Sequence, residues 1–133
     1  MLQEKPHQEL QAWKEAMHLA TSIYQVVNVN LEKGYLDLAE KIRSIAMEIL
    51  LKIEVYVYDD LFLDAILNEA ISKCKAQYTC LILGQRLGFL KDEDAENLMR
   101  QINVVESVII KKIEEDKEEW KKYISRLIEG EEE

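Results

Sequence analysis

The chain has 133 residues, enough for one domain around one core, and its hydrophobic content of 48% with 32% charged residues excludes a disordered polymer. One Pro and four Gly are too few breakers for a many-stranded β fold. The net charge of −9 argues against non-specific nucleic-acid binding.

The acidity is uneven: residues 1–90 hold 9 basic and 12 acidic residues, whereas residues 91–133 hold 8 basic and 14 acidic. The start, Met-Leu-Gln-Glu-Lys-Pro, has no apolar signal core, and the longest charge-free run, Ala16 to Leu31, carries His, Thr, Ser, Gln and Asn. A membrane span is therefore not expected. Cys74 and Cys80 lie six apart on one predicted helix, where they cannot bridge each other, and fit small core residues of a reducing cytoplasm.

The first helix is predicted over about residues 8–28, with Pro6 near its start. Leu10, Trp13, Met17, Ala20, Tyr24, Val27 and Leu31 follow a 3-4 spacing and make its expected seam; Ala12, Ala16, Leu19, Ile23 and Val26 widen that face. Asn28 to Gly34 forms a loop. The second helix is predicted over about residues 35–58, with Leu38, Ile42, Ile45, Ile49, Ile53 and Tyr56 inward. Between Ile45 and Tyr58 only Glu48, Lys52 and Glu54 are charged, so this helix is apolar nearly all round. Such a helix is buried on more than one side, and in a bundle this small the second side is expected to be a subunit interface through Leu50, Leu51, Val55 and Tyr58.

Asp59-Asp60 makes a short turn, and the third helix is predicted over about residues 61–87, with Leu63, Leu67, Ala70, Cys74, Tyr78 and Leu81 inward. Gly88 follows it, where a left-handed residue ends a helix without a Cβ clash and lets Phe89 fold back on Leu83. The fourth helix is predicted over about residues 92–128, N-capped by Asp92 and opened by Glu93, Asp94 and Glu96, whose carboxylates suit the positive end of the helix dipole. Leu98, Ile102, Val105, Ile109 and Ile113 face inward. The charged run Glu114 to Glu119 is expected to leave the seam, with Trp120 and Ile124 covering the end near Leu2 and Leu10 and an acidic tail over residues 129–133. Short connections make the helices antiparallel neighbours, so the expected fold is all-α: one domain, an up-down-up-down antiparallel four-helix bundle.

Little in this pattern points to catalysis, and no enzyme activity, cofactor or metal is expected. A carboxylate-bridged di-metal site needs Glu-x-x-His motifs on separate helices. The two matches, Glu4-x-x-His7 and Glu15-x-x-His18, share the N-terminal segment, and Glu15 and His18 lie on its polar stripe. The cysteines lack CxxC spacing, and Gly84 and Gly88 make no phosphate loop. The basic residues of the middle helices, among them Lys41, Arg43, Lys52 and Arg86, are interleaved with acidic ones; they form either a solvated mixed-charge face or a modest site for phosphates or an acidic partner.

Three stretches carry a family resemblance. They are Ala12-Trp13-Lys14-Glu15-Ala16-Met17-His18-Leu19-Ala20 with Ile23-Tyr24; Ala39-Glu40-Lys41-Ile42-Arg43 leading into Ile49-Leu50-Leu51; and Leu67-Asn68-Glu69-Ala70 through Leu83-Gly84-Gln85-Arg86-Leu87-Gly88-Phe89-Leu90. Over roughly Leu10 to Ile113 the chain resembles the small four-helix bundles that include the rRNA intervening-sequence proteins and the accessory variability determinants of diversity-generating retroelements. Where intervening-sequence proteins carry Pro-x-Asn-Ile-Ala-Glu-Gly, this chain reads Leu50-Leu51-Lys52-Ile53-Glu54-Val55-Tyr56, which is more similar to the retroelement branch. That resemblance implies a cytoplasmic homopentamer that binds a reverse transcriptase and its RNA without being an enzyme itself. Only Arg43 matches a recurrent basic position of the family. The other branch implies a scaffold whose partner is unknown and which binds no nucleic acid.

Overall fold

A computed structural model describes residues 10–58 and 63–130, with the Leu63 side chain excepted. The residues form four helices: α1 (Gln11–Asn28), α2 (Leu36–Tyr58), α3 (Leu63–Arg86) and α4 (Asp92–Ile128), with a short 3-10 turn at Leu31–Lys33. Each helix packs on two others, α1 on α2, α2 on α3, α3 on α4 and α4 back on α1, which closes a four-membered ring. Bonds across α2 and α3 run from Lys52–Glu69 through Glu48–Lys73 to Gln77–Ile42, so one chain direction rises as the other falls. The fold is an all-α, up-down-up-down four-helix bundle. No helix among the described residues is long and apolar enough to cross a membrane. The expected turn at Asp59-Asp60, the starts of the first and third helices and the last three residues of the tail lie outside the described residues.

The core follows the 3.6-residue period on every helix. Ile42, Ile45, Ile49, Ile53 and Tyr56 of α2 and Leu98, Ile102, Val105, Ile109 and Ile113 of α4 are buried as their spacing predicts. On α1 the seam is rotated from the expected one. Ala12, Ala16, Leu19, Ala20, Ile23 and Val27 are buried, while Met17 and Tyr24 are each 37% exposed. Three alanines share the buried face with Leu19, Ile23 and Val27, and Met17 and Tyr24 are left at its edge. On α3 the inward position after Cys74 is Gln77, fully buried, and Tyr78 is displaced to the margin.

The α3–α4 hairpin sets the phase of half the core. Gly88 is left-handed at φ 77°. Phe89 N–H donates to Gly84 O at 2.9 Å and Gly88 N–H donates to Gln85 O at 3.1 Å, the paired bonds of a Schellman cap. Phe89 is fully buried and its ring meets Tyr35 edge-on at 6.2 Å, whereas Leu83 stays half exposed. Gly84 has a different role: a Cβ there would stand 3.1 Å from Leu90 Cδ1, so its bare backbone seats Leu90. The N-cap of α4 is Lys91, not Asp92 as expected. Asp92 is the first helical residue and accepts from Gln85 Nε2 at 3.1 Å, across the turn instead of along its own helix. Likewise α2 begins at Leu36 and not Tyr35, because Gly34 and Tyr35 both have positive φ (92° and 55°).

The last buried residue of α4 is Ile113, yet the helix continues unbroken to Ile128. Tyr56 still reaches Asp116, and at ~1.5 Å per residue the stretch from there to Ile128 extends ~18 Å. Trp120 is 62% exposed, so it does not cover the bundle end in the way its spacing suggests; Leu2, its expected neighbour, is outside the described residues.

Candidate functional site

The second helix divides its surface into three strips. On the α3 side, Lys52 Nζ meets Glu69 Oε1 at 2.6 Å and Lys73 Nζ meets Glu48 Oε2 at 2.7 Å. These pairs lie on the flank of the core and lace two apolar helices in one register. The Lys73 ammonium holds the Glu48 carboxyl below the ordinary carboxylate range, against the opposing effect of its partial burial. On the α1 side, Arg43 Nη1 donates to Asn28 Oδ1 at 3.0 Å, and its guanidinium stands 6.0 Å from the centre of the Tyr24 ring.

The four basic candidates therefore do not converge. Lys52 and Arg43 sit on opposite flanks of α2 and are each engaged within the chain. Lys41 is exposed on the α3 flank, where its charge helps to lower the Glu48 pKa and opposes the rise that burial gives Cys80. Arg86 is the exposed last residue of α3.

The outward strip of α2 is apolar. Met47, Leu51, Val55 and Tyr58, spaced 4, 4 and 3, lie on one face and are 39%, 48%, 50% and 57% exposed. Leu50, the fourth residue read from sequence as part of the interface, belongs to the core of its own chain at 7% exposure. Met47 extends the strip by one turn and was readable as the residue four before Leu51. Tyr24 of α1, 37% exposed, stands beside Arg43 on the α1 flank of the same helix. Contiguous exposed apolar side chains on adjacent helices are the surface expected of an interaction site.

Nucleophiles are quenched. Burial pushes the Cys74 thiol up to about 12 and raises Cys80 as well, so neither is a thiolate at neutral pH. Among the described residues no three His, Cys, Asp or Glu side chains gather as metal ligands. Glu15 accepts from Gln11 Nε2 at 2.8 Å on the outside of α1, and His18 is exposed.

Comparison with protein-family models and with curated proteins finds no match to this chain.

Proposed function

We propose that the protein is a non-enzymatic scaffold that works by self-association and partner binding, of the accessory variability determinant type. The observation that supports this reading most is the outward apolar strip of α2, Met47, Leu51, Val55 and Tyr58, on a helix whose opposite face already fills the core. In this reading copies associate through that strip into a closed ring, a pentamer by the resemblance, within a reducing cytoplasm. The assembly then holds a reverse transcriptase and its RNA, with Lys41 and Arg86 as the basic residues left for phosphates.

A second reading is favoured by the charge. Arg43 and Lys52 are engaged inside the chain, and the net charge is −9. Both suit an intervening-sequence-type scaffold that binds protein and no nucleic acid.

Native mass spectrometry of the full chain tests both. A pentamer that retains RNA, and whose RNA affinity falls steeply with salt, supports the first reading. An oligomer with no RNA at any salt supports the second. A monomer at all concentrations removes both.

A further inference from the structure

The projecting end of α4 is charged enough to look like a solvent helix, but its residues are sorted. From Ile113 onward Ile113, Trp120, Tyr123 and Leu127, with Asp116 in one polar slot, follow the alternating 3-4 spacing of a coiled-coil seam, and Ile124 and Ile128 lie beside it. The outer positions Glu114, Glu115, Glu118, Lys121, Lys122 and Ser125 are polar, and Ile128 at the end of the helix is the apolar exception. Trp120, Tyr123 and Leu127 are 62%, 48% and 57% exposed, and Trp120 and Tyr123 stack at 5.5 Å along the same face. A seam needs a second helix; α2 reaches α4 at Asp116, where Tyr56 bonds it, and among the described residues no helix is seen to pair with the stretch from Trp120 to Leu127.

The flanking charges state which helix fits. Beside the seam, Glu119 and Arg126 occupy equivalent positions one heptad apart. When two such helices run antiparallel, equivalent flanks face each other. Glu119 of one copy then meets Arg126 of the other, twice, by symmetry. The same register sets Trp120 against Tyr123 of the other copy in two central layers. It also carries Leu127 to the level of Asp116, at the foot of the other bundle. A parallel pairing instead opposes Lys112 to Lys117 of the other copy and, within the helix, pairs neither Glu119 nor Arg126 with an opposite charge.

We infer that the outer part of α4 is a dimerisation arm that pairs antiparallel with the arm of a second copy of this chain, about a two-fold axis between Trp120 and Tyr123. The surface is distinct from the outward strip of α2 and does not depend on it. Two such short arms overlap over few layers, which makes a weak, concentration-dependent dimer.

Sedimentation equilibrium of the full chain, and of a Leu51→Glu chain to suppress association through α2, tests the arm. Leu127→Glu is expected to abolish the arm dimer. Glu119→Arg and Arg126→Glu each place like charges across both flanks and are expected to weaken it about tenfold. The double reversal restores opposite charges and is expected to recover affinity to within about threefold. All four positions lie outside the core, and circular dichroism checks that each variant keeps its helices. A double reversal no tighter than either single one overturns the antiparallel register. A Leu51→Glu chain that stays monomeric at about 1 mM overturns the arm. Association lost in Leu51→Glu but kept in Leu127→Glu assigns self-association to α2 alone.

Discussion

The Tyr56 hydroxyl donates a 2.6 Å hydrogen bond to Asp116, a residue 60 positions away, where α4 passes the end of α2. Tyr56 is nearly buried and Asp116 also meets Lys112 at 3.6 Å. The bond ties the root of the projecting helix to the bundle. Tyr56→Phe keeps the ring and removes the donor, and is expected to lower stability by about 1–2 kcal/mol in urea unfolding. A change below about 0.3 kcal/mol would mean that packing alone holds this corner.

The same contact makes an alkaline prediction. Burial, then the Asp116 bond, raises the Tyr56 pKa far above its ordinary 10.0. The folded chain keeps that proton while the unfolded tyrosine releases it. Stability is therefore fully present below about pH 10 and declines as pH rises further. Cys74, pushed from 9.0 up to about 12 by burial, adds the same sign of slope from about pH 9. The Tyr56→Phe chain is expected to unfold with a shallower dependence between about pH 10 and 12. Identical slopes for the two chains would place the loss elsewhere.

At the acid end the sign reverses. Lys73 lowers the Glu48 pKa, so the folded chain gives up that proton more readily than the unfolded one. The pair stabilises above pH ~4.5 and loses its effect as pH falls below that value. Both side chains are about one-third exposed, 36% and 35%, so the contribution at pH 7 is at most about 1 kcal/mol. Glu48→Gln is expected to flatten the acid limb of the stability profile below pH 5 without moving the alkaline limb.

The two glycines of the hairpin are expected to fail differently. Gly88→Val forces a β-branched residue left-handed and costs about 1–2 kcal/mol, although nothing lies within 4 Å of the added Cβ. Gly84→Ala gains about 1 kcal/mol of helix propensity but drives Cβ to 3.1 Å from Leu90 Cδ1 and 3.3 Å from its Cγ. Leu90 is buried and its N–H is held by Gly84 O at 3.1 Å, so it has little room to yield. Overpacking of about 1–3 kcal/mol wins, and Gly84→Ala is expected to be net destabilising. A stabilised Gly84→Ala chain would show that Leu90 repacks freely.

Gln77 supplies a prediction of the opposite sign. Its Nε2 donates to Ile42 O at 2.7 Å, but its Oε1 is buried without a partner. Gln77→Leu removes an unsatisfied acceptor from the core and is expected to be neutral or stabilising by up to about 1 kcal/mol in thermal unfolding. A loss above about 1 kcal/mol would mean that the bond to Ile42 fixes the α2–α3 register.

How far the sequence could be read depended on what each helix buries. On α4, the large residues Leu98, Ile102, Val105, Ile109 and Ile113 are also the central ones, so periodicity located the seam directly. On α1, size misled: Met17 and Tyr24 outrank Ala12 and Ala16 as hydrophobes, yet the alanines are buried with Leu19, Ile23 and Val27 while Met17 and Tyr24 are exposed. Gln77 was hidden because its burial depends on a carbonyl of another helix, which no pattern along α3 contains. Leu51, Val55 and Tyr58 were legible as excess apolarity on α2. Leu50 was not separable from them, since one turn of a nearly all-apolar helix shows no polar edge from which to take the phase. The pairing of Arg43 with Asn28 and of Lys52 with Glu69 joins residues 15 and 17 apart, a relation that only the packed fold creates.

One continuous helix thus runs through two solvents. As far as Asp116 it is held by α1 and α3 and by the Tyr56 bond from α2; beyond that residue, an isolated copy has only its own turns to hold it. An uninterrupted helix has no joint at which to separate the two regimes, so local opening in a solitary chain has to begin at the free end and retreat turn by turn toward Asp116. Amide hydrogens from Ile128 back to Ile113 would then exchange in order of their distance from the bundle, a graded clock along a single element. Any contact that stops that retreat partway would show in the exchange profile as a step at the residue where it binds.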